Sequence, residues 1–450
     1  MDLLNCIKEA GIVGCGGAGF PTHVKYAGGP VEYLIINGAE CEPLLRTDRY
    51  IMKHLGDRVV SAVEAVGEML GAKECRIALK KTYTEEIKAL EKVLKERGSK
   101  VKLAKMDSFY PAGDEQTMVY EVTGRIVPPA GIPLDVGCVV SNVATMLGIS
   151  DAMEGKHFTK KYLTVTGEVN QPTVLHVPVG TSFDTCIALA GGTRKDRYFV
   201  VSGGPMMGAR MTMEEAKTAV VTKTTSGILI LPEDGSIARK TQISLQHMLN
   251  RARSACIQCS YCTQMCPRHL IGHPLQPHKI MRKLAMSGDV TKILNDRDVQ
   301  NAAICCECGI CEEYACPMGL QPKRVNQVLK GALREAGIRY TRETDVYKAD
   351  RNREGRKIPA GRVAARVGVM PWYDLKIDTC IEGTPDRVEI PVSMHIGAPS
   401  EAIVKTGDMV TEGQLIARIP EGAMGANIHA SISGKVVSVG KRIIIERTGR

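Results

Sequence analysis

Apolar positions recur along the first hundred residues at two alternating periods. Over 57–71, Val59, Val60, Val63, Val66 and Leu70 fall at helical spacing, and over 84–97 Ile87, Leu90 and Leu94 repeat it and stop at Gly98. Between and after them come apolar runs of strand length, Val31 to Ile36, Arg76 to Leu79 and Val101 to Ala104. Helix and strand in this alternation predict a partly parallel α/β sheet. The opening stretch MDLLNCIKEAG places Leu3, Leu4 and Ile7 on one face of a short helix. Packing on the domain that follows is its favoured use, a docking or encapsulation peptide the alternative.

From Tyr162 the pattern changes to strand, turn, strand, helix and strand (162–169, 173–178, 185–192, 198–204). Ile280 to Ala285 is helical, 340–372 is basic and broken by Gly and Pro, and 386–447 alternates short strands with turns such as Gly397-Ala398-Pro399 and Glu412-Gly413-Gln414. The chain therefore divides into an α/β domain (1–155), a small β-rich module (156–242), a helical cysteine-bearing domain (243–335), a basic linker or docking arm (336–385) and a C-terminal β domain (386–450). The 450 residues, 44% hydrophobic, suffice for several cores.

No apolar run approaches the roughly 18 residues that span a bilayer. Sixteen cysteines without a basic, cleavable leader point to a reducing, cytoplasmic setting. The net charge of +10 is diffuse except over 334–366, where ten Lys/Arg face five acids. With no aromatic-basic or helix-turn-helix pattern, a nucleic-acid partner is set aside in favour of a solvated face or a surface for an acidic partner.

The chemistry concentrates in two runs, Cys256-x2-Cys259-x2-Cys262-x3-Cys266-Pro267 and Cys305-x2-Cys308-x2-Cys311-x4-Cys316-Pro317. Three thiolates on one loop and a fourth before proline is the spacing of [4Fe–4S] cubanes, and in two-cluster ferredoxins the fourth cysteine crosses over. On that rule Cys256, Cys259, Cys262 and Cys316 hold one cluster and Cys305, Cys308, Cys311 and Cys266 the other. Structural zinc, with its separated C-x2-C pairs, fits less well. Cys306 is an alternative to Cys305, and the x4 spacing departs from the usual x3. His269, His273 and His278 read as surface histidines, extra ligation being the alternative.

Four glycines lie in the run Gly14-Cys15-Gly16-Gly17-Ala18-Gly19, followed by Phe20 and Lys25. Such a loop brings backbone N–H groups against a phosphate or a flat ring, or is simply a tight turn; alone it does not decide. The strand Val31 to Ile36 then runs into Asn37-Gly38-Ala39-Glu40-Cys41-Glu42-Pro43, at the sheet edge where α/β folds meet ligands.

The order GxGGAGFPTxxK, NGAECEP with a nearby DR, GDEQ (113–116) and SNVAT (141–145) resembles the flavin- and NADH-binding subunit of respiratory complex I and its relatives. Among these it is most similar to the C subunit of Rnf complexes and to the cobalamin reductases of propanediol-utilising microcompartments. The resemblance implies that Gly14, Gly16, Gly17, Ala18, Gly19 and Lys25 bind FMN, that Asn37 contacts flavin, and that Glu40 and Glu42 match the family's acidic positions. Glu115, Asn142 and Thr145 then help to hold phosphate and ring, and Phe20 belongs to the aromatic group that stacks NADH. Ala39 replaces an aspartate, and Pro128-Pro129-Ala130-Gly131 lacks the family's ring, a loss worth about 0.5–1.5 kcal/mol of stacking.

It further implies a β-grasp module of the soluble-ligand-binding type at 156–242 and a barrel-sandwich domain at 386–450. That domain is not a carrier, because the linking stretch 421–428 has no lysine. The expected fold is thus a multidomain α/β protein with a flavin domain, a β-grasp module, a two-cluster ferredoxin-like domain and a C-terminal barrel-sandwich. The implied activity is NADH-dependent electron transfer through FMN and two [4Fe–4S] clusters, with no catalytic acid, base or nucleophile required. Cobalamin is the favoured acceptor, with an adenosyltransferase and a microcompartment shell as implied partners. An Rnf-like protein feeding another acceptor and a non-catalytic iron–sulfur scaffold are the alternatives.

Overall fold

The computed structural model describes residues 2–344 and 346–448. Its first sheet has four strands in the order Lys102–Met106, Glu74–Lys80, Tyr33–Asn37 and Cys138–Asn142, all parallel. Parallel neighbours require crossovers, supplied here by the helices Gly56–Met69 and Thr84–Arg97. Val59, Val60, Val63 and Val66 are fully buried, each worth about 1.5–3 kcal/mol relative to exposure. The second helix stops at Gly98, whose φ of 59° makes the left-handed cap. The opening helix Leu3–Glu9, capped by Asp2, buries Ile7 in the same core, which is the packing role expected of it.

The β-grasp sheet runs Cys380–Glu382, Thr173–Pro178, Lys160–Gly167, Gly227–Pro232, Tyr198–Ser202, Ala209–Thr212, with 227–232 parallel to 160–167. Its edge strand at 380–382 comes from the segment expected as a linker. That segment is packed throughout much of its length. Ile358–Pro359 pairs with Phe109–Tyr110, the helix Ala360–Val367 buries Val363, Ala364 and Val367, and Arg353 pairs with Glu121 over the Tyr120 ring. Part of its positive charge is thus spent inside the molecule, with Arg353 5% exposed and Lys357 3.0 Å from Glu121.

The C-terminal domain is two small antiparallel sheets, 387–391/442–446/434–439/409–410 and 401–402/415–418/428–429. It shares one apolar core with the flavin domain, in which Ile390, Met394 and Ile428 join Ile7 and Ile12. Lys223 bolts this junction: it is 1% exposed, and its Nζ donates to Gly11 O (2.6 Å) and Asn427 O (2.7 Å). Burial pushes its pKa down to about 7, from about 10.4 for a free lysine. The unfolded chain therefore binds this proton more tightly, and stability rises as pH climbs from about 7 towards 10. In Lys223→Met the gain in thermal midpoint between pH 7 and pH 9, measured anaerobically at one scan rate, will be smaller than in the parent protein.

Candidate flavin and iron–sulfur sites

The two central strands of the parallel sheet end in register, with Asn37 opposite Asn142. Both side chains are used locally. Asn37 Oδ1 accepts from Ala39 N and its Nδ2 donates to Gly113 O (2.9 Å), tying the 37–42 turn to the 111–115 loop. Asn142 caps the helix Val143–Met153 through Ala144 N and donates to Asp48 Oδ2 (2.8 Å). Thr145 Oγ1 accepts from Cys15 N (3.0 Å), so the first turn of that helix holds the glycine loop in place.

The loop fits a flat ring or a phosphate. A Cβ at Gly16 would press on the Asn142 amide at 3.0 Å, whereas one at Gly17 would meet nothing within 4 Å, so the loop is braced on one side and open on the other. Gly19 has φ 76°, and a Cβ there would strike Met394 O at 2.9 Å, which is where the barrel-sandwich domain seats on the loop through Ile396 N to Gly19 O. Phe20 is 37% exposed beside it. Lys25 Nζ is 2.7 Å from Glu115 Oε1, so the two side chains expected to meet a ligand separately form one ion pair across the open face.

Below the loop lie buried carboxyl groups. Burial raises the pKa of Glu40, reinforced by Asp48 and Glu42, and burial likewise raises that of Asp48. Glu42, pushed up to about 7 by burial, accepts from Met206 N (2.9 Å). Tyr110, 1% exposed, stands between Glu42 (3.3 Å) and the carbonyl of Cys308, to which its hydroxyl donates (2.7 Å).

The cysteines gather as the crossed rule expects. Cys256, Cys259 and Cys316 are the charged neighbours of Cys262, while Cys305 and Cys266 are among those of Cys311. Cys266, Cys305, Cys308 and Cys311 line one cavity of about 300 Å³, open at its mouth, together with Cys306, Lys323 and Asn326. Asn326 is 1% exposed, and neither its Nδ2 nor its Oδ1 has a hydrogen-bond partner. It therefore offers an amide to a group in that cavity. Among the described residues no three His, Cys, Asp or Glu side chains close on a single-ion position, and sulfurs spread around a shared space suit a cluster better than one tetrahedral ion. Glu307 N donates to Cys305 Sγ and Leu320 N to Cys316 Sγ, the sulfur bonds that tune cluster potential. Cys306 also faces the second site, beside Cys308 and Arg268.

The x4 spacing has a structural answer. Ile310–Ala315 forms a π-helical turn, which absorbs the extra residue between Cys311 and Cys316. It buries Glu313, which pairs with Arg210 (3.0 Å) and Lys240 (2.5 Å) of the β-grasp module and the helix after it. One of the three histidines departs from its expected surface position. His273 is 2% exposed with Nε2 2.8 Å from Val127 O, and burial lowers its pKa to about 4, so it is a neutral bolt between cluster domain and flavin domain. His269 and His278 are half-buried, and His278 meets Thr263 Oγ1 at 2.7 Å.

Sequence reasoning did not single out Tyr110, Asp114 or Arg268. Arg268 is 7% exposed and grips Asp114 with both nitrogens (2.7 and 2.9 Å). The first two lie in the 110–116 stretch already marked as polar and turn-rich, and Arg268 directly follows Cys266-Pro267, so position was their only signal.

Residues 7–151 match the Nuo51 FMN-binding domain, 162–209 the SLBB domain, 255–321 a 4Fe-4S dicluster domain and 377–449 the RnfC barrel sandwich hybrid domain. Fold and site together define a flavin- and iron–sulfur-dependent electron-transfer oxidoreductase. The chain is 40% identical to cobalamin reductase PduS of Salmonella typhimurium over 97% of its length and 94% of that protein, and 38% identical to PduS of Citrobacter freundii over the same shares. It belongs to the cobalamin reductase PduS family. It is also 36% identical to the RnfC-type component of the proton-translocating ferredoxin:NAD(+) oxidoreductase complex of Clostridium ljungdahlii, over 60% of this chain and 56% of that one. An NAD+-reducing [NiFe]-hydrogenase chain shares the fold, with a TM-score of 0.50 and 19% identity over 76% of this chain and 63% of that one. Among the described residues no helix is long and apolar enough to cross a membrane.

Proposed function

We propose that this protein takes electrons from NADH at the glycine loop and delivers them singly to cobalamin, as the name of its PduS relatives states for them. The observation that carries the reading is the junction of the two sites. The open glycine loop and the cysteine-lined cavity are joined through Glu42, Tyr110 and Cys308, in a chain that aligns with those reductases almost end to end. A bound flavin turns a two-electron donor into one-electron steps, which [4Fe–4S] clusters relay.

The residues of the chain bind, orient and shield. Gly16, Gly17 and Gly19 allow close backbone approach, Thr145 and Asn142 fix the loop, and Asn37 holds the adjoining turn. The eight cysteines, Cys256, Cys259, Cys262 and Cys316 in one set and Cys266, Cys305, Cys308 and Cys311 in the other, would hold the clusters. Glu40 and Glu42, with raised pKa values, are placed to hold protons near the flavin face. Phe20 would stack the nicotinamide donor. An adenosyltransferase that takes over reduced cobalamin, and residence in a microcompartment, belong to the same proposal.

Anaerobically purified protein should show flavin absorption bleached by NADH, and cob(II)alamin should form from hydroxocobalamin faster than with an equal amount of free reduced flavin. Missing bleaching overturns the NADH reading. Bleaching without the faster cobalamin step overturns the acceptor and favours an Rnf-like role.

A further inference from the structure

We propose that Arg268 and Asp114 set the order of electron flow. They fasten the cluster held by Cys266, Cys305, Cys308 and Cys311 against the flavin domain as the first acceptor, and leave the cluster held by Cys256, Cys259, Cys262 and Cys316 as the exit. The inference rests on the proposed flavin and cluster occupancy, and it adds the route and the residues that impose it.

Two consecutive carboxylates at one helix end reach in opposite directions. Asp114 caps the helix Glu115–Thr123 by accepting from Thr117 N (3.0 Å). Its carboxylate takes the fork of Arg268 at 2.7 and 2.9 Å, with side chains only 9% and 12% exposed, while Glu115 turns to Lys25 on the glycine loop at 2.7 Å. The helix end is therefore a bracket between the flavin loop and the cysteine loop. Arg268 faces the Cys266 and Cys306 thiols. A second strut is parallel to it: Tyr110, next to Glu42, donates to the Cys308 carbonyl.

The other cluster site has no such strut among the described residues. Hydrogen bonds at its loops run from Gln258 to Cys256, Arg251 to Met318 and Arg356 to Gln264, within the cluster domain and the 336–385 segment. The exposures follow the same order. Cys266, Cys308 and Cys311 are 7%, 7% and 8% exposed, whereas Cys259 is exposed and flanked by Ile257 and Tyr261 at 62% and 50%. A buried cluster beside the donor and an exposed one at the surface suit entry and exit. Arg268 is a positioning residue here. Its charge near Cys266 favours the reduced, more negative cluster and raises its potential.

The test uses the holoprotein in three forms: parent, Arg268→Gln and Cys316→Ala. In Arg268→Gln, with iron content as in the parent, EPR-monitored titration should show the Cys266-bound cluster about tenfold less reduced at a fixed potential, a shift of about 59 mV for one electron. Arg268→Lys should recover part of it. In Cys316→Ala the surviving cluster should still be reduced by NADH at the parental rate. An unchanged potential in Arg268→Gln, or a surviving cluster in Cys316→Ala that no longer receives electrons, overturns the route. Should NADH fail to reduce the parent's flavin, the functional reading falls separately, and photoreduction of the flavin then supplies the electrons for the same comparison.

Discussion

Cys316→Ala is expected to remove one cluster and leave the other, so that iron falls from about eight to about four per chain. The cysteine lies 50 or more residues from the run it completes, yet Cys316 is a charged neighbour of Cys262 together with Cys256 and Cys259. A thiolate is an obligate ligand in this setting, and alanine offers no substitute. The loss should fall on the cluster with the exposed Cys259, leaving the EPR signal of the buried one. Electron delivery to cobalamin should drop by at least tenfold, because the exit is missing while the flavin still bleaches. Full iron in the variant, or loss of both signals from a protein with an unchanged thermal midpoint, would show that the crossed assignment is wrong.

Gly17→Val should abolish flavin retention with little effect on folding. A Cβ at this position has nothing within 4 Å, so valine enters open space on the side from which a ring would approach. Gly16→Val behaves differently, since its side chain would drive into the Asn142 amide at 3.0 Å and disturb the contacts to Asp48 and Ala144. The expected pair of results is flavin loss at a parental thermal midpoint for Gly17→Val, and flavin loss with a lowered midpoint for Gly16→Val. Flavin-to-protein ratio after gel filtration and a melting curve read both. Gly17→Val with a full flavin complement would mean that the loop is only a turn.

Much of this was legible in the residues alone because it is local. Valines at helical spacing bury one face wherever the helix docks, and Val59 to Val66 do so. Closely spaced cysteines before proline are a ligand pattern complete in themselves, and so is a glycine loop that ends at a lysine. The motifs Asn37 to Glu42 and Ser141 to Thr145 pointed to one sheet edge, and Asn37 stands opposite Asn142 there.

Other features left almost no trace along the chain. The segment 336–385 is basic and glycine-containing, and its strands are only two and three residues long, too short for any period to register. Its place became visible only where Ile358 meets Tyr110 and Cys380 meets Val174. Glu115 looked like a ligand group and is paired with Lys25; His273 looked like a surface histidine and is buried. The extra residue before Cys316 was visible as a count, and its resolution as a π turn that buries Glu313 was not.

By itself, then, the sequence determined the chemistry this protein carries: a loop open to a flat cofactor, two sets of cluster thiolates, and the succession of modules that bear them. Such information is written in neighbours a few residues apart, where backbone geometry alone brings the groups together. Only the tertiary structure decided how those sites are connected. Asp114 and Arg268 are 154 residues apart, Tyr110 and Cys308 are 198 apart, and Lys223 reaches Gly11 and Asn427 across 212 and 204. Contacts of that range depend on how whole domains pack, and one polar residue in a loop gives no sign of which distant partner it will meet.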